Sequence, residues 1–425
     1  MLGQHATKPD GCGTYHFPGC HGWLWRHTPV PDIEHHNSKA HAMPEFKFEP
    51  VTMPPSEAKL RADVRAFCAA EQKAGTFSPA LGSMVEANPS FSEKMGARGW
   101  LGMTWPKQYG GHERTALERY IVVEEMLAAG APCLAHWIAD RQSGPQILRH
   151  GSERAKRTII PEIAAGRCYF AIGMSEPDTG SDLASVRTRA HKTEGGWKIT
   201  GRKIWTSYAH KAHYLIALVR TSGTADQRHQ GLTQFIVDLK SPGITIRPIY
   251  NLYGGHDFNE VTFDDVFVTD DMIVAGEGRG WEMVTSELAF ERSGPDRFMS
   301  SYPLLVEAFN AAGKEPASAT AADLGRLVAN LATLRRMSGS IAGMLQAGLN
   351  PATEAALVKD LGTAFEQEIP EVARRILPSE PRAALAGDPY TALLHKSQME
   401  CVSYSIRGGT REILRGMIAR GLGLR

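Results

Sequence analysis

Trp205 and Ser207 stand two apart in a short run rich in β-branched residues, so they share one face of a strand. A large aromatic beside a hydroxyl could flank a planar heterocycle while donating one hydrogen bond to it. Ahead of them lies Ala171-Ile-Gly-Met-Ser-Glu-Pro-Asp-Thr-Gly-Ser-Asp182. Taken alone, its Pro177, Asp178, Thr179, Gly180 and Ser181 are turn residues. Other familiar chemistry is missing: there is no GxxxxGK[ST] phosphate loop, no HExxH and no GxSxG. Gly276-Glu277-Gly278-Arg279-Gly280 precedes a helix. A dinucleotide loop, however, needs a βαβ unit with a third spaced glycine, and the upstream segment here is an antiparallel meander. These glycines read as a turn crossing between domains. Cys12, His16, Cys20 and His21 lack the paired CxxC or HxxxH of a zinc finger, so no metal site is expected.

The elements that must position these residues fall into three blocks behind an extension. Residues 1–43 carry seven of the sixteen histidines with frequent Gly and Pro and no helical or strand period, and they read as a disordered, His-rich extension. Residues 44–166 read as helical: Pro54-Pro55-Ser56 is a start signal, Leu60, Val64 and Phe67 follow at helical spacing, and Tyr109-Gly110-Gly111 is a turn. Residues 167–279 hold short β segments, at Trp197–Ile204, Tyr214–Val219, Thr233–Leu239, Ile244–Ile249 and Val261–Val268, punctuated by Gly, Asp and Pro. With no helix between them, they predict an antiparallel barrel or sandwich. Residues 280–425 return to helix, over Trp281–Ala312, Thr320–Gly348, Thr353–Ile376 and Tyr390–Arg420. The fold class is therefore α+β, mostly α, in the order helices, β domain, helices.

At 425 residues the chain is too long for one core. Its 47 basic and 46 acidic residues cancel to a net +1, which offers no field for nucleic acid or an anionic membrane. The most apolar stretch, Ile121–Ala139, is interrupted by Glu124 and Glu125, so no span is expected. Six scattered cysteines suit a reduced cytoplasmic setting.

The 171–182 segment together with Lys203-Ile-Trp-Thr-Ser207 resembles the middle-domain signature of the acyl-CoA dehydrogenase family of flavoproteins. Three further pieces agree in order: Gly99-Trp-Leu-Gly-Met-Thr-Trp-Pro-Lys-Gln-Tyr-Gly-Gly111, Phe263-Asp-Asp-Val266 and Gly408-Gly-Thr-Arg-Glu-Ile-Leu-Arg415. The resemblance runs from about Pro54 to Arg425. It implies an N-terminal helical domain, a middle β domain and a C-terminal four-helix bundle, usually assembled as tetramers. FAD is expected between the β domain and the bundle, with a neighbouring subunit completing its site. By position, Ile172, Met174 and Ser175 match the flavin-contacting strand, and Trp205 and Ser207 match residues beside the isoalloxazine ring. Thr410 and Glu412 fall at an FAD contact after the Gly-Gly-Thr turn. Ser181 matches a serine that touches acyl-CoA, and Gly409 stands on the substrate side.

Removing a weakly acidic thioester α-proton calls for a carboxylate whose pKa is raised by desolvation. Many relatives place a Glu directly before the C-terminal Gly-Thr, and this chain has Gly408 there. A subset, including isovaleryl and long-chain types, carries the base after the β domain, before an Arg, and Phe290-Glu291-Arg292 matches that arrangement. Glu291 is thus the candidate base and Arg292 a candidate substrate contact. Pro295 lacks the N–H that would bond the Glu291 carbonyl, so a kink is expected there. Two family features are missing: Phe309–Ala319 has no Arg-x-x-Phe, and Arg382–Pro389 has only Gly387 in place of a Gly-Gly segment. The resemblance implies a dehydrogenase forming a trans-2-enoyl-CoA and passing electrons to an electron-transferring flavoprotein. An FAD-poor partner subunit of a hetero-oligomer and a flavin oxidase on the same fold remain alternatives.

Overall fold

A computed structural model describes residues 45–79, 87–376 and 388–424, apart from the side chains of residues 287–291. The expected extension with its Cys12, His16, Cys20 and His21 lies outside the described residues, as does residue 387. Six helices come first: α1 (Glu57–Lys73), α2 (Pro89–Ala97), α3 (Ala116–Ala128), α4 (Leu134–Ile138), α5 (Gly144–His150) and α6 (Glu153–Ala164). Leu60, Val64 and Phe67 of α1 are buried, as their spacing predicts. Local chemistry fixes the starts. Thr115 and Glu118 form a reciprocal capping box on α3, and Asn88 and Ser152 accept from the first turns of α2 and α6. Ser56 does precede α1, but its hydroxyl donates to Glu118 at 3.0 Å instead of capping. The stretch from Leu134 to His150 is helical throughout, with one π turn (Ala139–Ser143) joining α4 to α5.

His136 of α4 is fully enclosed, with Nδ1 2.7 Å from the Ser92 hydroxyl. Burial holds its imidazole down to about 4, against an ordinary 6.5. Between those values the unfolded chain binds the extra proton, so this residue's contribution is intact above pH 6.5 and is lost as pH falls to 4. The expected loss is about 3 kcal/mol across the window. Chemical denaturation at pH 7 and pH 4.5 checks it, because a His136→Gln variant should show a flatter pH slope than the parent.

Eight strands follow: β1 (Phe170–Gly173), β2 (Arg189–Thr193), β3 (Gly196–Ser207), β4 (Tyr214–Arg220), β5 (Leu232–Asp238), β6 (Ile244–Tyr250), β7 (His256–Thr269) and β8 (Ile273–Val274). They form one sheet in the order β6-β7-β3-β2-β4-β5-β8, with β1 added parallel to β4. The sheet is antiparallel except where β4 meets β1 and, at one residue pair, β2. Alternation explains the near-continuous burial of β4. Leu215, Ala217 and Val219 enter the core between strands, while Ile216 points to the α5–α6 side. Both faces of the central strands are therefore covered.

The last six helices are α7 (Gly280–Arg292), α8 (Tyr302–Ala312), α9 (Ser318–Gln346), α10 (Ala352–Ile376), α11 (Pro389–Tyr404) and α12 (Arg411–Gly421). Trp281–Ala312 is not one helix: Arg292 ends α7, and Pro295–Arg297 is a short 3₁₀ turn, where the missing proline N–H foretells a break. Tyr390–Arg420 divides likewise, because Gly408 and Gly409 adopt positive φ between α11 and α12. Residues of α1–α3 and of α8–α11 share one hydrophobic cluster, so the first and last helices have a common core. Among the described residues no helix is long and apolar enough to cross a membrane.

Candidate active site

The long strand β3 alternates inward residues at Trp197, Ile199 and Lys203, and continued alternation would turn Trp205 inward too. Instead the pairing with β7 slips between Lys203 and Thr206, the signature of a bulge. Trp205 takes φ +56° there, a strained setting for a bulky residue, and Tyr208 takes φ +53° three residues on. The slip buries Thr206 and leaves 58% of Trp205 in the open, edge-on to Phe258 at 5.9 Å between ring centroids. Ser207 lies on the same side, half-buried, and its hydroxyl makes no hydrogen bond among the described residues. A broad exposed ring beside an open hydroxyl fits a planar, hydrogen-bonding group such as a flavin.

An internal ion pair sets this bulge against the end of β1. The Lys203 ammonium, fully buried, reaches Glu176 at 2.7 Å and the Met174 carbonyl at 3.1 Å. Glu176 also accepts from the N–H groups of Arg187 (2.6 Å) and Thr188 (2.9 Å), and Ile204 N–H donates to the Ser175 carbonyl at 2.9 Å. Burial opposes ionisation of Glu176, but Lys203 and these donors outweigh it and hold the carboxyl below its usual range. Burial lowers Lys203 to about 8, still protonated at neutral pH. Ile172 and Met174, two of the predicted flavin-strand residues, are partly buried against the apolar cluster that holds Phe170, Ile216 and Ile236. Ser181, the predicted acyl-CoA contact, is exposed. Neither Glu176 nor Lys203 is singled out by turn chemistry. The inward phase of Trp197, Ile199, Gly201 and Lys203 was the available signal.

The second half of the predicted site is the turn between α11 and α12. Arg292 is not displayed toward open space: it is buried, with Nε donating to the Gly408 carbonyl at 3.1 Å and Nη1 2.8 Å from the Met417 sulfur. Its guanidinium lies under Gly409, where a Cβ would come within 3.0 Å of Nη2 at φ +97°. Gly409→Ala should therefore cost about 1–2 kcal/mol from left-handed strain alone, read as a lowered denaturation midpoint, with unchanged stability contradicting the packing. Thr410 caps α12, its hydroxyl accepting from Ile413 N–H, and Glu412 lies exposed in the first turn. Backbone and Thr410 hydrogen bonds hold the Glu412 carboxyl below its ordinary range. Glu291 is in the last turn of α7, next to Arg292, and its side chain lies outside the described residues.

The two halves meet through residues that sequence reasoning missed. Tyr208, directly after Ser207, donates to Asp257 at 2.7 Å, and Tyr253 donates to the same carboxylate at 2.5 Å. Tyr253 also lies within electrostatic reach of Glu400 of α11, whose carboxyl is pushed up by burial and by Asp257. Thus the β6–β7 hairpin, beside the exposed Trp205, faces the helix that leads to Gly408. No spacing rule links positions so far apart in the chain.

The acyl-CoA dehydrogenase N-terminal domain family matches residues 54–167, and the acyl-CoA dehydrogenase middle domain family matches residues 171–266. Acyl-CoA dehydrogenase FadE29 of Mycobacterium tuberculosis is 30% identical over 389 residues, covering 87% of this chain and 97% of that protein. Acyl-CoA dehydrogenase FadE34 of the same organism is 34% identical over 278 residues, 64% of this chain, and the match spans only 38% of that longer relative. The ChsE4–ChsE5 complex from Mycobacterium tuberculosis contains a chain that superposes with a TM-score of 0.74 at 27% identity, covering 88% of this chain and 99% of its own.

Proposed function

Because this chain belongs to the acyl-CoA dehydrogenase family, we propose that it takes one hydrogen each from the α and β carbons of an acyl-CoA thioester, leaving a trans-2-enoyl-CoA. The family is one of oxidoreductases with FAD as cofactor. The exposed, strained Trp205 beside the open Ser207 hydroxyl carries the reading. FAD, when bound, supplies the acceptor for the hydride that leaves the β-carbon. Trp205 and Ser207 would hold the ring, with Ile172, Met174 and Ser175 behind it and Thr410 and Glu412 contributing from the α12 cap.

Glu291 takes the α-proton onto its carboxylate. Desolvation of that carboxylate by bound substrate would favour the protonated product and so match the base to a weakly acidic carbon. Arg292 acts through position: by holding the Gly408 carbonyl, it fixes the end of α7, and hence Glu291, against the Gly-Gly-Thr turn. Gly409 leaves that turn low enough for a substrate thioester to approach, and the exposed Ser181 is placed for the pantetheine or phosphate portion. Electrons would pass on to an electron-transferring flavoprotein. Domain limits at residues 43/44, 166/167 and 279/280 belong to the same reading.

A partner chain is a second part of the proposal. Phe309–Ala319 lacks Arg-x-x-Phe, and a chain of the ChsE4–ChsE5 complex shares this fold. Val402, Ile406 and Ile413 are exposed apolar residues on either side of the Gly-Gly-Thr turn, the kind of surface that a second subunit covers. The deciding experiment is the visible spectrum of the purified chain with and without added FAD, followed by anaerobic addition of acyl-CoAs. A flavin band that bleaches with an acyl-CoA supports a self-sufficient dehydrogenase. A colourless chain that takes up FAD only with a related subunit supports the partner-dependent form, and rapid reoxidation by oxygen would favour an oxidase instead.

A further inference from the structure

Beneath the Gly-Gly-Thr turn lies a buried polar network assembled from four separate segments. Asp296, in the 3₁₀ turn after α7, is 2% exposed and accepts from Arg141 of the π turn and from Arg297 at 3.2 Å. Both guanidiniums meet Oδ2, while Oδ1 is buried with no hydrogen-bond partner among the described residues. Glu366 of α10 is fully buried, and one of its oxygens accepts from Ser300 N–H at 2.7 Å. Its other oxygen accepts from Arg407 Nη2 at 2.7 Å.

Arg407 is the member with donors to spare. It directly precedes Gly408, the residue whose carbonyl Arg292 holds. Among the described residues its hydrogen bonds all run from Nη2, to Glu366, to the Ser300 hydroxyl at 2.8 Å and to the Asp296 carbonyl at 3.5 Å. Its Nε is buried with no hydrogen-bond partner among the described residues, and Nη1 makes no hydrogen bond there either. The guanidinium carbon lies 4.1 Å over the Tyr404 ring. At 27% exposure its side chain still opens to accessible space. Leaving a buried N–H without an acceptor costs about 1–3 kcal/mol. A pre-oriented guanidinium with unused donors, on a side chain that is partly exposed, is an arrangement that can bind a carboxylate with charge-assisted hydrogen bonds. A plain hydrocarbon acyl chain would leave those donors empty.

We propose that the acyl group taken by this site carries a carboxylate of its own, and that Arg407 is the specificity residue that binds it. This rests on the acyl-CoA dehydrogenase reading above. The test uses the holoenzyme, with its partner chain if FAD binding needs one. Matched probes of several chain lengths, ω-carboxyacyl-CoAs and the corresponding plain acyl-CoAs, are compared by calorimetric binding and by anaerobic flavin bleaching. At the best chain length the carboxylated probe should bind at least about 10-fold tighter, a factor worth 1.4 kcal/mol. Arg407→Met should bring that ratio to about one, and Arg407→Lys should restore part of it. Because Arg407→Met strands the buried Glu366, the pair Arg407→Met with Glu366→Gln is made alongside it. Equal binding of both probes by the parent at every length, or a preference that survives in a folded Arg407 variant, overturns the proposal while leaving the dehydrogenase reading intact. If neither probe class binds or bleaches the flavin, both fall together.

Discussion

Glu291→Gln is expected to lower turnover of acyl-CoA by roughly 100- to 10,000-fold, the usual contribution of a positioned general base, while the flavin spectrum and acyl-CoA binding persist. The amide keeps the size and most hydrogen-bonding capacity of the carboxylate but cannot accept the α-proton. Position argues for this residue over the other carboxylates nearby. Glu366 and Asp296 are each bonded to an arginine, and Glu176 is bonded to Lys203 and two backbone N–H groups. A base must be free to gain a proton without breaking such a network. Glu400 is the closest rival: its carboxyl is raised by burial, and it faces the β6–β7 hairpin beside Trp205. The two are separated by making Glu400→Gln in parallel and measuring single-turnover flavin reduction. Near-normal reduction in Glu291→Gln, with collapse in Glu400→Gln, would move the base to α11.

Much of the architecture is legible in residue order because it rests on local chemistry. The capping residues, the apolar spacing of α1 and the β-branched runs each act within a few positions, and the elements they predict are present. What was not legible depends on contacts between distant segments. The strand Phe170–Gly173 has four residues and no polar alternation to mark it, and it exists by pairing parallel to β4. Arg189–Thr193 is mostly polar and exposed, and is a strand only because β3 lies against it. The two overlong helices are a different kind of error: at Gly294-Pro295 the expected kink is a full break, and Gly408-Gly409 was a visible breaker that helical periodicity overran. At the site, Trp205 and Ser207 share a face as a strand requires. Which face they share was set by a register slip that no pattern in the residues announces. Arg292 shows the reverse: its place beside Glu291 follows from residue order, but its partner, the Gly408 carbonyl, lies more than a hundred residues away.

Lys203→Met should destabilise the fold by about 3–5 kcal/mol, because it strands the Glu176 carboxylate in the interior, and it should weaken FAD binding as well. The size of that loss does not measure what the pair contributes to stability. Burial holds Lys203 at about 8, well below its ordinary 10.5, so desolvation of the ammonium exceeds the attraction of Glu176. The double variant Lys203→Met with Glu176→Gln is therefore expected to recover most of the stability, since the amide oxygen can still accept from the backbone. The sign of the pH dependence follows from the same depression. Between about pH 8 and 10.5 the unfolded chain holds the proton that the folded chain has released, so the parent gains stability relative to the double variant as pH rises through that range. FAD affinity should not recover in the double variant, because Met cannot bond the Met174 carbonyl, and the Ile204 N–H bond to the Ser175 carbonyl is then left to hold the end of β1 against the bulge that presents Trp205. Calorimetric unfolding and FAD titration on the three variants distinguish the two roles. Parallel recovery of stability and FAD affinity would mean that the pair serves the fold alone. Recovered stability with weak FAD binding would identify it as the device that sets the register of the flavin wall.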